Sequence, residues 1–265
     1  MQTEGVFLYP TLEKQHESSR ERPRVLVVGA GALGCAAART LAQDGSVAIT
    51  LVDFDDVELS NLQRQVLYND EDLGRSKVAA AAARLAEEFG VTIETVHARF
   101  DDENGAALVA GADLVIDATD DPATKFLIAR LSSASRAPSV YAGVARTGGQ
   151  WMLVVPGKSA CLECVFPKRA FESQNAEGCA ALGILAPVAG FVGAMQAITA
   201  LAFLHDPASV VAGRLHLYEL TGARSRHIDF PIDDACGCRA ARSKILPGTL
   251  AADAALELRF EETRS

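Results

Sequence analysis

Arg24–Gly29 reads RVLVVG, a short valine-rich run of the kind that forms a strand buried on both faces. It enters Gly29-Ala-Gly31-Ala-Leu-Gly34 and then Cys35–Gln43, a stretch of good helix formers. A second apolar run, Ala48–Val52, ends at Asp53. Strand, glycine turn, helix and strand in that order make a βαβ unit, which restricts the chain to a parallel sheet with helices on its faces. The first glycine permits the tight turn, the second lets backbone approach a ligand, and the third packs helix on strand. The helix start favours an anion, and Asp53 is placed to accept from ribose hydroxyls.

The alternation continues. Ser76–Phe89 reads as a helix with Ser76 as N-cap, Val91–Ala98 as a strand, and Asp102–Gly111 as a short helix. A buried strand at Asp113–Asp117 precedes a helix at Pro122–Ala134, with proline at a favourable early position. Strands follow at Ser139–Gly143 and Gly149–Pro156, then an apolar helix after Pro187 and a strand at Arg214–Leu220. The expected fold class is α/β: a doubly wound, mainly parallel sheet of Rossmann type with extra strands in the C-terminal half. Residues 1–23 are read as an N-terminal extension, 24–250 as one domain and 251–265 as a charged tail.

Charge narrows the function. The formal net charge of −9 leaves no basic footprint for nucleic acid or an anionic membrane, so a polyphosphate has to be held by a few local cations. The first residues carry scattered charges and no apolar core of a signal peptide, which together with the cysteine usage points to a reducing, cytoplasmic setting. Gly178–Leu204 lacks charged side chains, but it contains Gly183, Pro187, Gly190, Gly193 and Gln196 and has no Lys/Arg anchors. It is read as a buried or subunit-interface helix, not a membrane span. The five histidines are scattered, and neither a zinc-protease pattern nor a GxSxG elbow occurs.

The residues from Asp53 onward argue against the default nicotinamide reading of the glycine turn. They run Asp-Phe-Asp-Asp-Val-Glu-Leu-Ser-Asn-Leu-Gln-Arg, ending at Arg64. A dehydrogenase has no use for that run, whereas a triphosphate needs compensating cations. Lys77 at the next helix start supplies a second cation, and Asp120 follows a strand on the same C-terminal edge of the sheet. A carboxylate there can hold Mg²⁺ bridging phosphate oxygens.

Taken together, VLVVGAGALG, LVDFDDVELSNLQRQVLY, Gly74-Arg-Ser-Lys77, VIDATDD and CLEC resemble the ThiF/MoeB/HesA adenylating enzymes, relatives of the ubiquitin-activating enzymes, from about Arg24 to Cys238. The resemblance implies ATP-Mg activation of the C-terminal Gly-Gly carboxylate of a ubiquitin-like sulfur-carrier protein as an acyl adenylate, with release of pyrophosphate. It implies ATP contacts from Gly29, Gly31, Gly34, Asp53, Asp55, Asn61, Arg64 and Lys77, and a Mg²⁺ ligand in Asp120. It further implies a homodimer and, since no rhodanese-like segment follows, sulfur supplied by a separate donor protein. Three departures stand out. The family's N-terminal Arg-Tyr-x-Arg-Gln stretch, which reaches the partner subunit's ATP, is missing, leaving Arg20 and Arg22 as candidates by position. The family's Asp-Asn is Asp120-Asp121 here, and its second CxxC pair is Cys236-x-Cys238.

Cys161, Cys164, Cys236 and Cys238 can set four thiolates tetrahedrally around Zn²⁺; unliganded thiols, or a zinc site lost in this branch, are the alternatives. Cys179 lies ahead of a helix, where a thiol gains reactivity, and the resemblance implies covalent chemistry with the carrier in some members. Cys35 is read as core packing. Other readings keep adenylation but change the substrate to a ribosomal peptide or a tRNA base. Readings of another class are a catalytically degenerate carrier-binding module and a nicotinamide-dependent oxidoreductase.

Overall fold

The five strands of the N-terminal part owe their order to burial. Four of the five residues of β1 (Arg24–Val28) are buried, and such a strand needs neighbours on both edges and layers on both faces. It pairs in parallel with β2 (Ala48–Asp53) on one side and β4 (Leu114–Asp117) on the other. Beyond these, β3 (Glu94–His97) joins β2, and β5 (Ser139–Ala145) joins β4, also in parallel. Three antiparallel strands extend the sheet: β6 (Gly148–Val154), β7 (Arg214–Glu219) and β8 (Arg224–Asp229). The full order is β3-β2-β1-β4-β5-β6-β7-β8, as seen in a computed structural model that describes residues 22–166 and 183–238.

The connecting helices are α1 (Ala32–Asp44), α2 (Lys77–Phe89), α3 (Asp102–Ala110), α4 (Pro122–Ser135), a single turn α5 (Leu162–Val165), and α6 (Ala186–His205). Helices α1 and α2 both end on a left-handed glycine, Gly45 and Gly90, whose N–H closes the last turn. Helices α1, α2 and α6 cover one face of the sheet with a core that includes Leu41, Leu51 and Leu85. The other face carries a smaller core around Phe100, Val115 and Ile128. A third apolar cluster, with Phe126, Tyr141 and Met152, lies where the parallel and antiparallel halves meet.

Helix α6 packs along alanine-rich α1, and the approach is close enough that a Cβ on Gly193 would stand 2.3 Å from the Leu33 carbonyl oxygen. It is the one described helix long and apolar enough to cross a membrane, yet it lies against α1, β5 and β6. Its burial is one-sided. Val188, Val192, Gln196 and Ala200 face inward, while Phe191 and Ile198 remain 37% and 48% exposed.

Three expectations change. The uncharged run begins at Gly178, but the helix starts at Ala186 with Pro187 in its first turn; residues 167–182 lie outside the described ones. Ser76 does occupy the N-cap of α2, yet its hydroxyl caps nothing and is buried without a partner. The helix entry is held instead by Lys77 N–H donating to the Asp55 carbonyl and by a bridge from Asp56 to Ser76. Finally, β8 was not expected, because its residues are exposed throughout.

Candidate active site

The glycine turn forms where the crossovers reverse direction, between β1 and β4. Gly29 has φ +99°, a conformation L side chains rarely adopt, and a Cβ there would sit 2.8 Å from the Ala118 carbonyl oxygen. A Cβ on Gly34 would fall 1.8 Å from the Gly29 oxygen, so this position packs helix directly on turn. Gly31, the N-cap of α1, supplies no side-chain acceptor, and no acid occupies the first turn. The free N–H groups at that end present a ready anion site. Gln65, 4% exposed, lies over Gly31 with an unpartnered Oε1.

Asp53 is committed to the fold as well as available to a ligand. Its oxygens accept from Ala30 N at 2.6 Å and from Asp55 N at 2.8 Å, which ties the glycine turn to the loop after β2. An ionised carboxylate has about four acceptor positions, so capacity remains.

The loop from Phe54 to Ser76 is stapled to itself. Asn61 is buried and closes a reciprocal cap with Glu58. Arg64 donates from Nη1 to the Ser60 carbonyl at 2.8 Å, which orients the guanidinium while leaving donors unspent. The Lys77 amine, only 7% exposed, pairs with Asp55 at 2.7 Å. Asp55 and Lys77 are therefore brought together with each other.

At the C-terminal end of β4, Asp117 is buried and its carboxylate meets the Lys125 amine at 3.2 Å through both oxygens. Lys125 also donates to the Ala142 carbonyl at 2.7 Å. Sequence reasoning missed this pair. The signal was spacing on α4, where Lys125 shares a face with buried Ile128 and Ser132. Gln196 was noted only as a polar interruption; it is fully buried and donates to the carbonyls of Asp117 and Val140 at 2.7 and 3.0 Å. Asp120 is exposed, with no hydrogen bond or ion pair among the described residues, and borders an open cleft of about 1030 Å³ over β5–β8. Asp121 caps α4, accepting from Thr124 N–H and hydroxyl at 2.8 and 2.7 Å.

The four cysteines converge from sequence positions far apart. Sγ separations are 3.7 Å for Cys161–Cys164, 3.6 Å for Cys161–Cys236 and 3.6 Å for Cys164–Cys238, with all four atoms within 4.8 Å of one another. A tetrahedron with Zn–S bonds of about 2.3 Å has edges of about 3.8 Å, so the quartet matches in size and donor type. Burial pushes the Cys161 thiol up to about 12 and raises Cys238 as well. Against partial burial, N–H donors from Asp233 and Cys161 hold Cys164 below the ordinary thiol range. Cys35, wholly buried, is pushed up to about 12 by desolvation, as expected of a packing thiol. Cys179 and Arg20 lie outside the described residues.

The family model described as ThiF family matches residues 9–240. The SAMP-activating enzyme E1 of Haloferax volcanii is 39% identical over 197 residues, covering 74% of this chain and 72% of its own length. The molybdopterin-synthase adenylyltransferase of Escherichia coli is 35% identical over 215 residues, with coverages of 80% and 85%. Among solved structures, E. coli MccB with succinimide matches at a TM-score of 0.71 and 22% identity, over 82% of this chain and 66% of that one, a likeness of fold. The chain therefore belongs to the ThiF family and is an ATP-dependent adenylyltransferase of the ThiF/MoeB type.

Proposed function

We propose that this enzyme adenylates the C-terminal Gly-Gly carboxylate of a ubiquitin-like sulfur-carrier protein and releases pyrophosphate. The names of the relatives, a SAMP-activating enzyme and a molybdopterin-synthase adenylyltransferase, support a protein substrate of that class. The observation that carries the reading is the position of Asp120, a carboxylate with no partner among the described residues, between the glycine turn and a cleft large enough for an extended peptide.

The residues divide the work. The N–H groups at Gly31 and the start of α1 take phosphate oxygens, and Gly29 and Gly34 keep that backbone open and rigid. Asp53 accepts from the ribose with its remaining lone pairs. Arg64 and Lys77 offset the charge that builds on the phosphates as the carboxylate attacks; Asn61 fixes the loop carrying Arg64, and Asp55 aims the Lys77 amine. Asp120 would hold Mg²⁺, which supplies further charge neutralisation when bound. The four cysteines would hold a structural Zn²⁺, their mutual spacing being the support. A homodimer meeting through the exposed apolar side of α6 and a thiol role for Cys179 belong to the same reading.

Carrier-stimulated ATP–pyrophosphate exchange tests it. Arg64→Ala and Asp120→Ala are each expected to lose at least ~100-fold, the scale of one electrostatic contact made in the transition state. Near-normal exchange in either variant would show the roles misassigned. Nicotinamide binding without exchange would replace the reading altogether.

A further inference from the structure

The floor of the cleft changes character across the sheet, and strand register dictates the order. Gly143 on β5 pairs with Gln150 on β6, Gln150 with Leu217 on β7, and Leu217 with Arg226 on β8. Directly paired residues point to the same side, so these four form one row, and all of them line the cleft. At the β5 end, nearest Asp120, the row has no side chain. An amide and an apolar step follow, and the far rim is a cation.

The neighbouring row ends on Glu219 paired with Arg224 across β7 and β8. Arg224 is thus faced by a carboxylate, whereas Arg226 is faced by neutral Leu217. The Arg226 side chain makes no ion pair or hydrogen bond among the described residues. Both arginines stand on β8, the edge strand among the described residues, whose six residues are all exposed, in a chain of net charge −9. An acidic chain that keeps a pair of cations at one mouth of its substrate cleft has built a local attraction for anions there.

We propose that Arg226, seconded by Arg224, is a specificity determinant for the substrate tail. It selects tails with an acidic residue roughly four to six residues before the terminal carboxylate. The inference rests on the reading that this cleft seats the tail. Three inter-strand spacings of about 4.8 Å separate β5 from β8, some 14 Å, and an extended peptide covers about 3.4 Å per residue, so about four residues span the floor. The step from β5 to Asp120 adds up to two more, giving roughly four to six.

Nonapeptides ending in Gly-Gly and carrying a single Glu, Gln or Lys at the third to seventh residue from the C-terminus test this against the full chain by fluorescence anisotropy. ATP binding, measured separately, serves as the folding control. Glu at the fourth to sixth residue is expected to bind ~3–10-fold tighter than Gln and tighter still than Lys, a preference that fades as salt is raised. Arg226→Glu is expected to invert the order. Saturable binding that ignores the charge, or a Glu preference that survives Arg226→Glu, overturns the proposal. Failure of every peptide to bind a protein that still binds ATP overturns the seating of the tail, and the proposal with it.

Discussion

Replacing Lys125 with methionine should cost this fold several kcal/mol. The amine lies 3.2 Å from both oxygens of Asp117, and the two side chains are 5% and 3% exposed. Methionine keeps most of the stem volume, so no cavity is charged against the variant. What is lost is the counter-ion of a buried carboxylate, a change worth about 3–5 kcal/mol, and the donor to the Ala142 carbonyl, worth about 1 kcal/mol. Thr119 still donates to Asp117 from its N–H and hydroxyl at 3.1 and 2.7 Å, which moderates the loss. A net loss of about 3–4 kcal/mol is therefore expected. The double variant Asp117→Asn/Lys125→Met should recover at least about 1 kcal/mol, since it strands no charge. Urea unfolding followed by the sole tryptophan reads this well, because Trp151 sits opposite Ala142 in the β5–β6 pair. A Lys125→Met loss under about 1 kcal/mol, or a double variant weaker than the single, would refute the reasoning.

Other outcomes follow from the same geometry. At Asp121, partial burial raises the carboxyl, but the Thr124 hydroxyl and N–H outweigh it and hold the folded group below its ordinary value. A depressed carboxyl contributes stability above its unfolded pKa and loses it as pH falls through the folded one. Asp121→Ala should thus cost about 1 kcal/mol at neutral pH, and the gap between urea midpoints should narrow as pH is lowered towards about 3; a gap independent of pH would count against the cap. Purified protein should carry about one equivalent of zinc by elemental analysis, and Cys236→Ser should lower Tm by ~10 °C, since the metal clip closes a long loop. Less than a tenth of an equivalent would reject the site.

The parallel half was legible because its physics is local. Valine-rich runs such as Arg24–Val28 have no use outside a two-sided core, and Gly29 and Gly34 fit only a tight strand-to-helix turn. The cysteine quartet was legible from pair spacing, although its closure depends on strands that bring residue 161 beside residue 236. Less could be read at the edges. Strand β8 is Arg-Ser-Arg-His-Ile-Asp, and with no face to bury it lacks the alternation that marks a strand. Asp53 read as a ribose acid, but its bonds to Ala30 and Asp55 depend on two loops folding together. Lys125 escaped notice because a lysine in a first helical turn is ordinarily solvated, and only the neighbouring Asp117 makes burial tolerable.

Among the described residues the eight-stranded sheet stops at β8, whose outer edge carries backbone donors and acceptors without a strand partner. An unguarded border of that kind invites a second molecule to zip on and a third to follow it. The arginines on β8 put charge on that border, a feature that discourages edge-to-edge pairing, while leaving it open to a visitor of opposite sign. Exchanging Arg224 and Arg226 for valine would strip that border of charge and raise self-association, read by light scattering, alongside the loss of charge selection.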